Sequence, residues 1–211
     1  LYHLYKLAFK TYKILKNISI NYVELDENQN KISTKQVPVE ISLKRDEKAL
    51  IKIIPQNYTY TIDIIGYSYE TEDYNVNVDL NENTANIEKL SNLEEKQKEL
   101  EDMLKYDILE IYDFKGIDDT SYKVKIKNNS QKNLGNIILK VAEKNSDGEY
   151  ISVSNISNNS TLKAKDFSAL MLNSTDKENT LEIIGYTYDD IENKSNIDID
   201  LKTNTASIVR N

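Results

Sequence analysis

Two stretches of this chain repeat each other block by block, and that repetition limits the fold more than any other feature. Ile64-Ile65-Gly66-Tyr67-Ser68-Tyr69 recurs as Ile183-Ile184-Gly185-Tyr186-Thr187-Tyr188. Before it, Thr61-Ile62-Asp63 matches Thr180-Leu181-Glu182. After it, Asn75-Val76-Asn77-Val78-Asp79-Leu80 matches Asn196-Ile197-Asp198-Ile199-Asp200-Leu201. Asn83-Thr84-Ala85 and Ile87 then return as Asn204-Thr205-Ala206 and Ile208. Blocks that recur in one order at nearly one spacing mark a duplicated structural unit. The second copy is two residues longer between the blocks, which suits a hairpin loop.

The repeated blocks read as strands. Val76, Val78 and Leu80 alternate with Asn75, Asn77 and Asp79, and Ile197, Ile199 and Leu201 alternate in the same phase. That period of two belongs to a half-buried strand, and a slip of one residue would turn the apolar set outward. Each copy is therefore expected to end in a hairpin entered through Gly-Tyr-x-Tyr, the glycine marking a bulge or a close backbone approach. Upstream, Asn17 to Lys31 reads as a strand running into Asp26-Glu27-Asn28-Gln29-Asn30. Asn136 to Tyr150 reads as a strand running into Asn145-Ser146-Asp147-Gly148, a hairpin signal. Residues 1–18, taken alone, suit an amphipathic helix with Leu1, Leu4, Tyr5, Ala8, Tyr12 and Leu15 on one face. Laying Tyr5–Phe9 against Tyr122–Ile126 favours a strand in their second half.

Between the copies the period changes. Leu90, Leu93, Gln97, Leu100 and Leu104 recur at helical steps, with Ser91 and Glu94 as a capping box. The expected order is a first β module over 1–89, a helical linker over 90–108 and a second β module over 109–211.

Composition narrows the function. The 211 residues are 39% hydrophobic and 29% charged, as in a folded protein. The 35 acidic and 27 basic residues leave a net charge of −8 with no basic patch, so no nucleic-acid partner is expected. No cysteine is present, which removes disulfides, thiolate metal sites and a cysteine nucleophile. No apolar run is long enough to span a membrane. A chain starting at Leu1 reads as a fragment whose upstream signal or anchor lies elsewhere, so membrane attachment would come only through that missing anchor. Heavy use of Asn, Lys, Ile and Tyr suggests a low-GC bacterial source.

One further likeness rests on the second copy. Tyr122-Lys123-Val124-Lys125-Ile126-Lys127-Asn128-Asn129-Ser130 is a strand running into a polar turn. Ile137–Val141 is a second strand, Asp147-Gly148 a turn, and Leu162-Lys163-Ala164-Lys165-Asp166-Phe167 an entry into another strand. Over about fifty residues this resembles the Ig-like β-sandwich modules of Gram-positive surface proteins and lipoproteins, including the FxLYD-type group. The Leu-x-Pro-Gly-Glu turn of such modules lacks its Pro and Gly here, and the FxLYD residues are absent. The resemblance implies two tandem Ig-like antiparallel β-sandwich modules joined by a short α-helix. It also implies an extracellular or cell-envelope location and a binding or spacer role, with no active site carried over.

Candidate chemistry is thin. His3 is the only histidine, so a histidine triad or multi-histidine metal site is not expected. Asp26–Lys31 begins like a calcium loop but has Lys31 where glycine is needed and Val37 where glutamate is needed, so a polar turn is the simpler reading. Asp79, Asp198 and Asp200 lie on the polar side of the repeated strand, where solvent exposure explains them without a function. The binding candidates are Tyr67, Tyr69, Tyr186 and Tyr188, part of a set of 15 Tyr beside 3 Phe and no Trp. A tyrosine offers an apolar face with a polar tip, suited to sugar or protein contact. Packing at the hairpin, retained by descent, is the simpler reading of the same rings. P-loop, dinucleotide and hydrolase motifs are absent from the sequence.

The expectation is a monomeric, non-catalytic binding or spacer segment, with no cofactor or metal, meeting protein or cell-envelope glycan. The alternatives are a carboxylate-dependent glycan-acting enzyme and an assembly module pairing through the 90–111 helix.

Overall fold

A computed structural model describes residues 2–90 and 108–210. Among these, every regular element is a β-strand, and the arrangement in several sheets is consistent with a β-sandwich. The helix expected over 90–108 falls almost entirely on residues 91–107, outside the described residues. The chain divides into two compact units. Residues 1–91 with Glu149–Ile151 form the first, and residues 92–148 with 152–211 form the second.

In the first unit the strands are β1 (His3–Ala8), β2 (Lys16–Leu25), β3 (Lys31–Pro38), β4 (Lys48–Ile53), β5 (Thr61–Glu70), β6 (Tyr74–Asp79) and β7 (Thr84–Lys89). One sheet runs β3-β2-β5-β6-β7, and β1 pairs antiparallel with β4. In the second, the strands are β8 (Leu109–Gly116), β9 (Ser121–Asn128), β10 (Leu134–Lys144), β11 (Tyr150–Asn158), β12 (Phe167–Asn173), β13 (Thr180–Asp190), β14 (Ser195–Asp200) and β15 (Thr205–Arg210). Strands β11-β10-β13-β14-β15 reproduce the first unit's larger sheet in order, and the smaller sheet is β12-β9-β8. Strand β8 has no counterpart among the described residues of the first unit.

Registers carry the correspondence through most of each unit. Tyr5 faces Ile51 as Val124 faces Leu170, and Leu7 faces Ala49 as Ile126 faces Ser168. Each of these residues lies 119 positions from its counterpart, as Gly66 does from Gly185. Pairing thus sets Tyr5 level with Val124, two residues away from the Tyr5–Tyr122 match drawn from sequence. A slip of two keeps every side chain on its face, so alternation alone is blind to it. The start of the chain also corrects the expectation there. Residues 3–8 form a strand with His3, Tyr5 and Leu7 half-buried, in place of a helix or a strand placed later.

The same spacing recurs in backbone geometry. Asn17 and Asn136 have φ of 50° and 44°, Gln29 and Gly148 have 64° and 74°, and Asp46 and Lys165 have 65° and 63°. Isolated bridges repeat as well, Leu15 to Leu43 and Leu134 to Leu162. Each unit closes over its own apolar core. Ile18, Ile20, Ile51 and Val76 are buried in the first; Val124, Ile137, Leu139 and Leu172 are buried in the second.

Candidate functional site

The repeated hairpin owes its shape to one glycine and one extra residue. Asn21 faces Gly66 and Tyr22 faces Ile64, which leaves Ile65 as the bulged residue. Lys140 faces Gly185 and Val141 faces Ile183, which leaves Ile184 in the same role. The bulged carbonyls accept from Leu80 N and Leu201 N, both at 2.9 Å. A Cβ added at Gly185 would lie 2.5 Å from the carbonyl oxygen of Ile199, and one at Gly66 would crowd the Val78 carbonyl in the same way. The obstacle is backbone, so it cannot swing aside. The close approach expected of this glycine is what the hairpin requires.

Beyond the glycine, the two tyrosine pairs part company. In register, Tyr67 faces Val78 and Tyr69 faces Val76; Tyr186 faces Ile199 and Tyr188 faces Ile197. Both pairs stack with centroids 6.3 Å apart. Tyr186 and Tyr188, 7% and 1% exposed, belong to the core of the second unit with Leu109, Leu139 and Ile197. Burial, reinforced by Tyr186 and Asp190, pushes the Tyr188 hydroxyl up and keeps it protonated. These two rings offer no open face to a ligand. Tyr67 and Tyr69 are half-buried, with Phe9 6.1 Å from each. Of the four candidate rings, the first unit's pair alone reaches solvent.

The candidate carboxylates are occupied by local structure. Asp79 accepts from Asn81 N at 2.8 Å and Glu82 N at 3.0 Å, and Asp200 accepts from Lys202 N and Thr203 N at the same two distances. Each holds the turn that follows its strand. Asp198 pairs with Lys140 at 2.7 Å. Asp26 accepts from Asn28 N at 2.9 Å and Asn30 N at 2.8 Å, which makes the calcium-like segment a hairpin turn. Among the described residues, no cluster of three or more His, Cys, Asp or Glu gathers to hold a metal. Inside the chain's edge strand, the His3 ring lies 6.4 Å from that of Tyr5, and its Nε2 is buried without a hydrogen-bond partner.

Sequence reasoning missed a repeated buried carboxylate. Glu24 and Glu143, again 119 positions apart, are 0% and 3% exposed. Glu24 accepts from Lys35 Nζ at 3.0 Å, Ser33 Oγ at 2.9 Å and Gln56 N at 3.0 Å. Glu143 accepts from Thr175 N at 2.6 Å, Thr175 Oγ1 at 2.8 Å, Asn179 Nδ2 at 2.8 Å and Ser152 Oγ at 3.2 Å. Burial alone would raise both carboxyls, but the donors outweigh it and hold each below the ordinary glutamate value. Each carboxylate thereby pins the loop after β4 or β12 to the larger sheet. Its sequence signal was an identity at fixed spacing, Glu24 with Glu143 and Ser33 with Ser152.

A second missed feature is the unequal burial of the repeated hairpins. Val76 is buried, but Val78 is half-buried, Ala85 is exposed and Ile87 is 61% exposed. In the second unit, Ile197 and Ile199 are buried, and Ala206 and Ile208 pack against the same core.

No family model matches this chain, and no curated protein matches it. Among solved structures it is similar to β-glucuronidase 2 of Bacteroides uniformis bound covalently to cyclophellitol-6-carboxylate aziridine. The identity is 12%, covering 98% of this chain and 25% of that one, at a TM-score of 0.21. A calcium-binding mutant of the same enzyme gives 10% identity, 98% and 26% coverage and a TM-score of 0.20. A further Bacteroides uniformis β-glucuronidase structure gives 11%, 98% and 25% with a TM-score of 0.21. The chain spans about a quarter of those chains, and likeness at this level carries neither fold nor activity across.

Proposed function

We propose that this chain is a non-catalytic binding or spacer segment of a bacterial cell-surface or secreted protein, built from two tandem Ig-like β-sandwich modules. The observation that carries the reading is where the shared residues are spent. Gly66 and Gly185 set a close strand approach, Glu24 and Glu143 pin a loop, and Asp79 and Asp200 hold a turn. What the copies have in common is scaffold, which suits modules that extend a chain and present surfaces. Modules that keep such a scaffold are free to vary their exposed loops, where partners are met. The partner class in this reading is protein or cell-envelope glycan, and the location is the exterior of a low-GC Gram-positive cell.

Whole cells carrying the natural protein, treated mildly with protease and probed with an antibody to residues 1–211, test it. Loss of the signal from intact cells is expected. A signal that survives until the cells are broken overturns the reading.

A further inference from the structure

The smaller sheet of the second unit turns a face to solvent that is cationic and apolar at once. Along β9, Val124, Ile126 and Asn128 are buried, so Lys123, Lys125 and Lys127 point to the opposite side. Along β12, Leu172 is buried and Leu170 half-buried, so Phe167, Ala169 and Met171 point outward beside the lysines. Register sets Phe167 against Lys127, Ala169 against Lys125 and Met171 against Lys123. Phe167 is 66% exposed and Met171 is 52% exposed. We propose that this face docks on an anionic lipid bilayer, its lysines meeting headgroup phosphates while Phe167 and Met171 enter the headgroup layer.

Charge and pattern select that occupant. The chain carries a net charge of −8, and on the larger sheet outward lysines meet carboxylates, Lys140 with Asp198 and Lys144 with Glu182. Neither β9 nor β12 contains a carboxylate. Those that reach the face come from β8: Asp113 meets Lys115 at 2.5 Å and Lys125 at 2.6 Å, and Glu110 lies 3.8 Å from Lys127. Lys123 is left without an ion pair among the described residues. Lys163 and Lys165, both exposed, flank the turn that enters β12, with Asp166 beside them. The balance is cationic, so the partner is anionic. A soluble polyanion would engage the lysines and leave Phe167 and Met171 in water, whereas a bilayer takes up both rows. The first unit keeps this composition while changing the strands that supply it. There Leu4 faces Lys52, Lys6 faces Leu50 and Ala8 faces Lys48, and again neither β1 nor β4 contains a carboxylate. Every outward pair in both units joins a lysine to an apolar residue. Relative to the second unit, the pairs Leu4–Lys52 and Ala8–Lys48 have traded strands. Such an exchange preserves no individual contact; it preserves the chemistry of the surface.

The inference goes beyond the function proposed above. The chain has no tryptophan, so Phe167→Trp in the full chain introduces a lone indole on the face. Titrated with vesicles of phosphatidylglycerol and phosphatidylcholine in equal parts, this variant should emit at shorter wavelength, and the parent chain should sediment with the vesicles. Vesicles of phosphatidylcholine alone should produce neither effect. Lys123→Glu and Lys127→Glu should each weaken vesicle binding about tenfold or more, since a reversal counts twice the loss of one charge. Phe167→Ser combined with Met171→Ser should weaken it about tenfold or more by removing the apolar row. Lys123, Phe167 and Met171 are exposed, so the unfolding midpoint of their variants should match the parent's. Absence of sedimentation, equal binding to phosphatidylcholine alone, or full binding by Lys123→Glu would overturn the proposal. Full binding by the double serine variant would give the face to a soluble polyanion. Binding of polyglutamate without binding of vesicles would give it to an acidic protein; either result also overturns the proposal. A chain that stays off vesicles can still be stripped from whole cells by protease, so the two tests fail separately.

Discussion

The two units share one plan, and among the described residues the apolar face of its repeated hairpin is buried to different extents. In the second, the inner face of β13-β14-β15 is covered, and Tyr186, Tyr188, Ile197 and Ile199 are buried. In the first, the same positions hold Tyr67, Tyr69, Val76 and Val78, and Val76 alone is buried. Residue types barely differ between the two sets; in the second, Leu109 of β8 belongs to the same core.

That contrast predicts a graded set of substitutions, measured by denaturant unfolding with amide exchange to assign the loss to one unit. Tyr188→Ala should cost about 3–5 kcal/mol by emptying a filled core, while Tyr69→Ala should cost only about 1–2 kcal/mol. Equal costs would mean the first unit's face is covered in solution and would break the contrast. Gly66→Ala and Gly185→Ala should each cost about 1–3 kcal/mol, because the same backbone contact obstructs both. A large difference between them would show that the hairpins are less alike than their registers.

The buried glutamates sharpen the comparison further. Glu24→Gln should cost about 1–2 kcal/mol, since Lys35 loses its counter-charge, whereas Glu143 has neutral donors and its Gln variant should cost less than about 1 kcal/mol. Both carboxyls are held below the unfolded value of about 4.3. Their contribution is complete above that value and is lost as pH falls through the lower folded value. Acid titration of stability should therefore fall less steeply in either Gln variant than in the parent; an unchanged slope would remove the glutamates from the acid response. Smallest of all, Ile87→Ser should change stability by under about 0.5 kcal/mol and Ile208→Ser by about 1 kcal/mol, in line with their unequal cover.

How much could be read without coordinates followed physical lines. Strict alternation over Asn75–Asp79 and Asn196–Asp200 announced strands and their phase, because one buried face enforces period two, whereas Leu80 and Leu201, which continue the pattern, fall just past the strand ends and are exposed. The first strand was misaligned by two residues, since Tyr5 and Leu7 keep their face after such a slip. Nothing in the pattern around Glu24, between Val23 and Leu25, marks a buried carboxylate. Its partners Ser33, Lys35 and Gln56 come from β3 and a distant loop, which no local pattern joins. The difference between Ile87 and Ile208 was invisible because it resides in what packs on each residue and not in the residue itself. The tyrosine candidates were chosen as a symmetric set of four, and the structure divides them into two buried and two half-buried rings.

Near-identical hairpins in one polypeptide also create a sorting problem while the chain folds. Before either unit closes, Ile183–Tyr188 could pair with β2 almost as readily as Ile64–Tyr69 does, and such exchange is a familiar misassembly of repeats. The ion pairs of the second unit work against it. Lys140 meets Asp198 and Lys144 meets Glu182, each at 2.7 Å, while the corresponding positions on β2 are Asn21 and Leu25. A hairpin that strayed to β2 would bring Asp198 to an uncharged amide and Glu182 to an apolar side chain. Those surface pairs add little stability once the unit is formed. Their larger effect is on traffic, holding the second hairpin to β10, which carries its lysines.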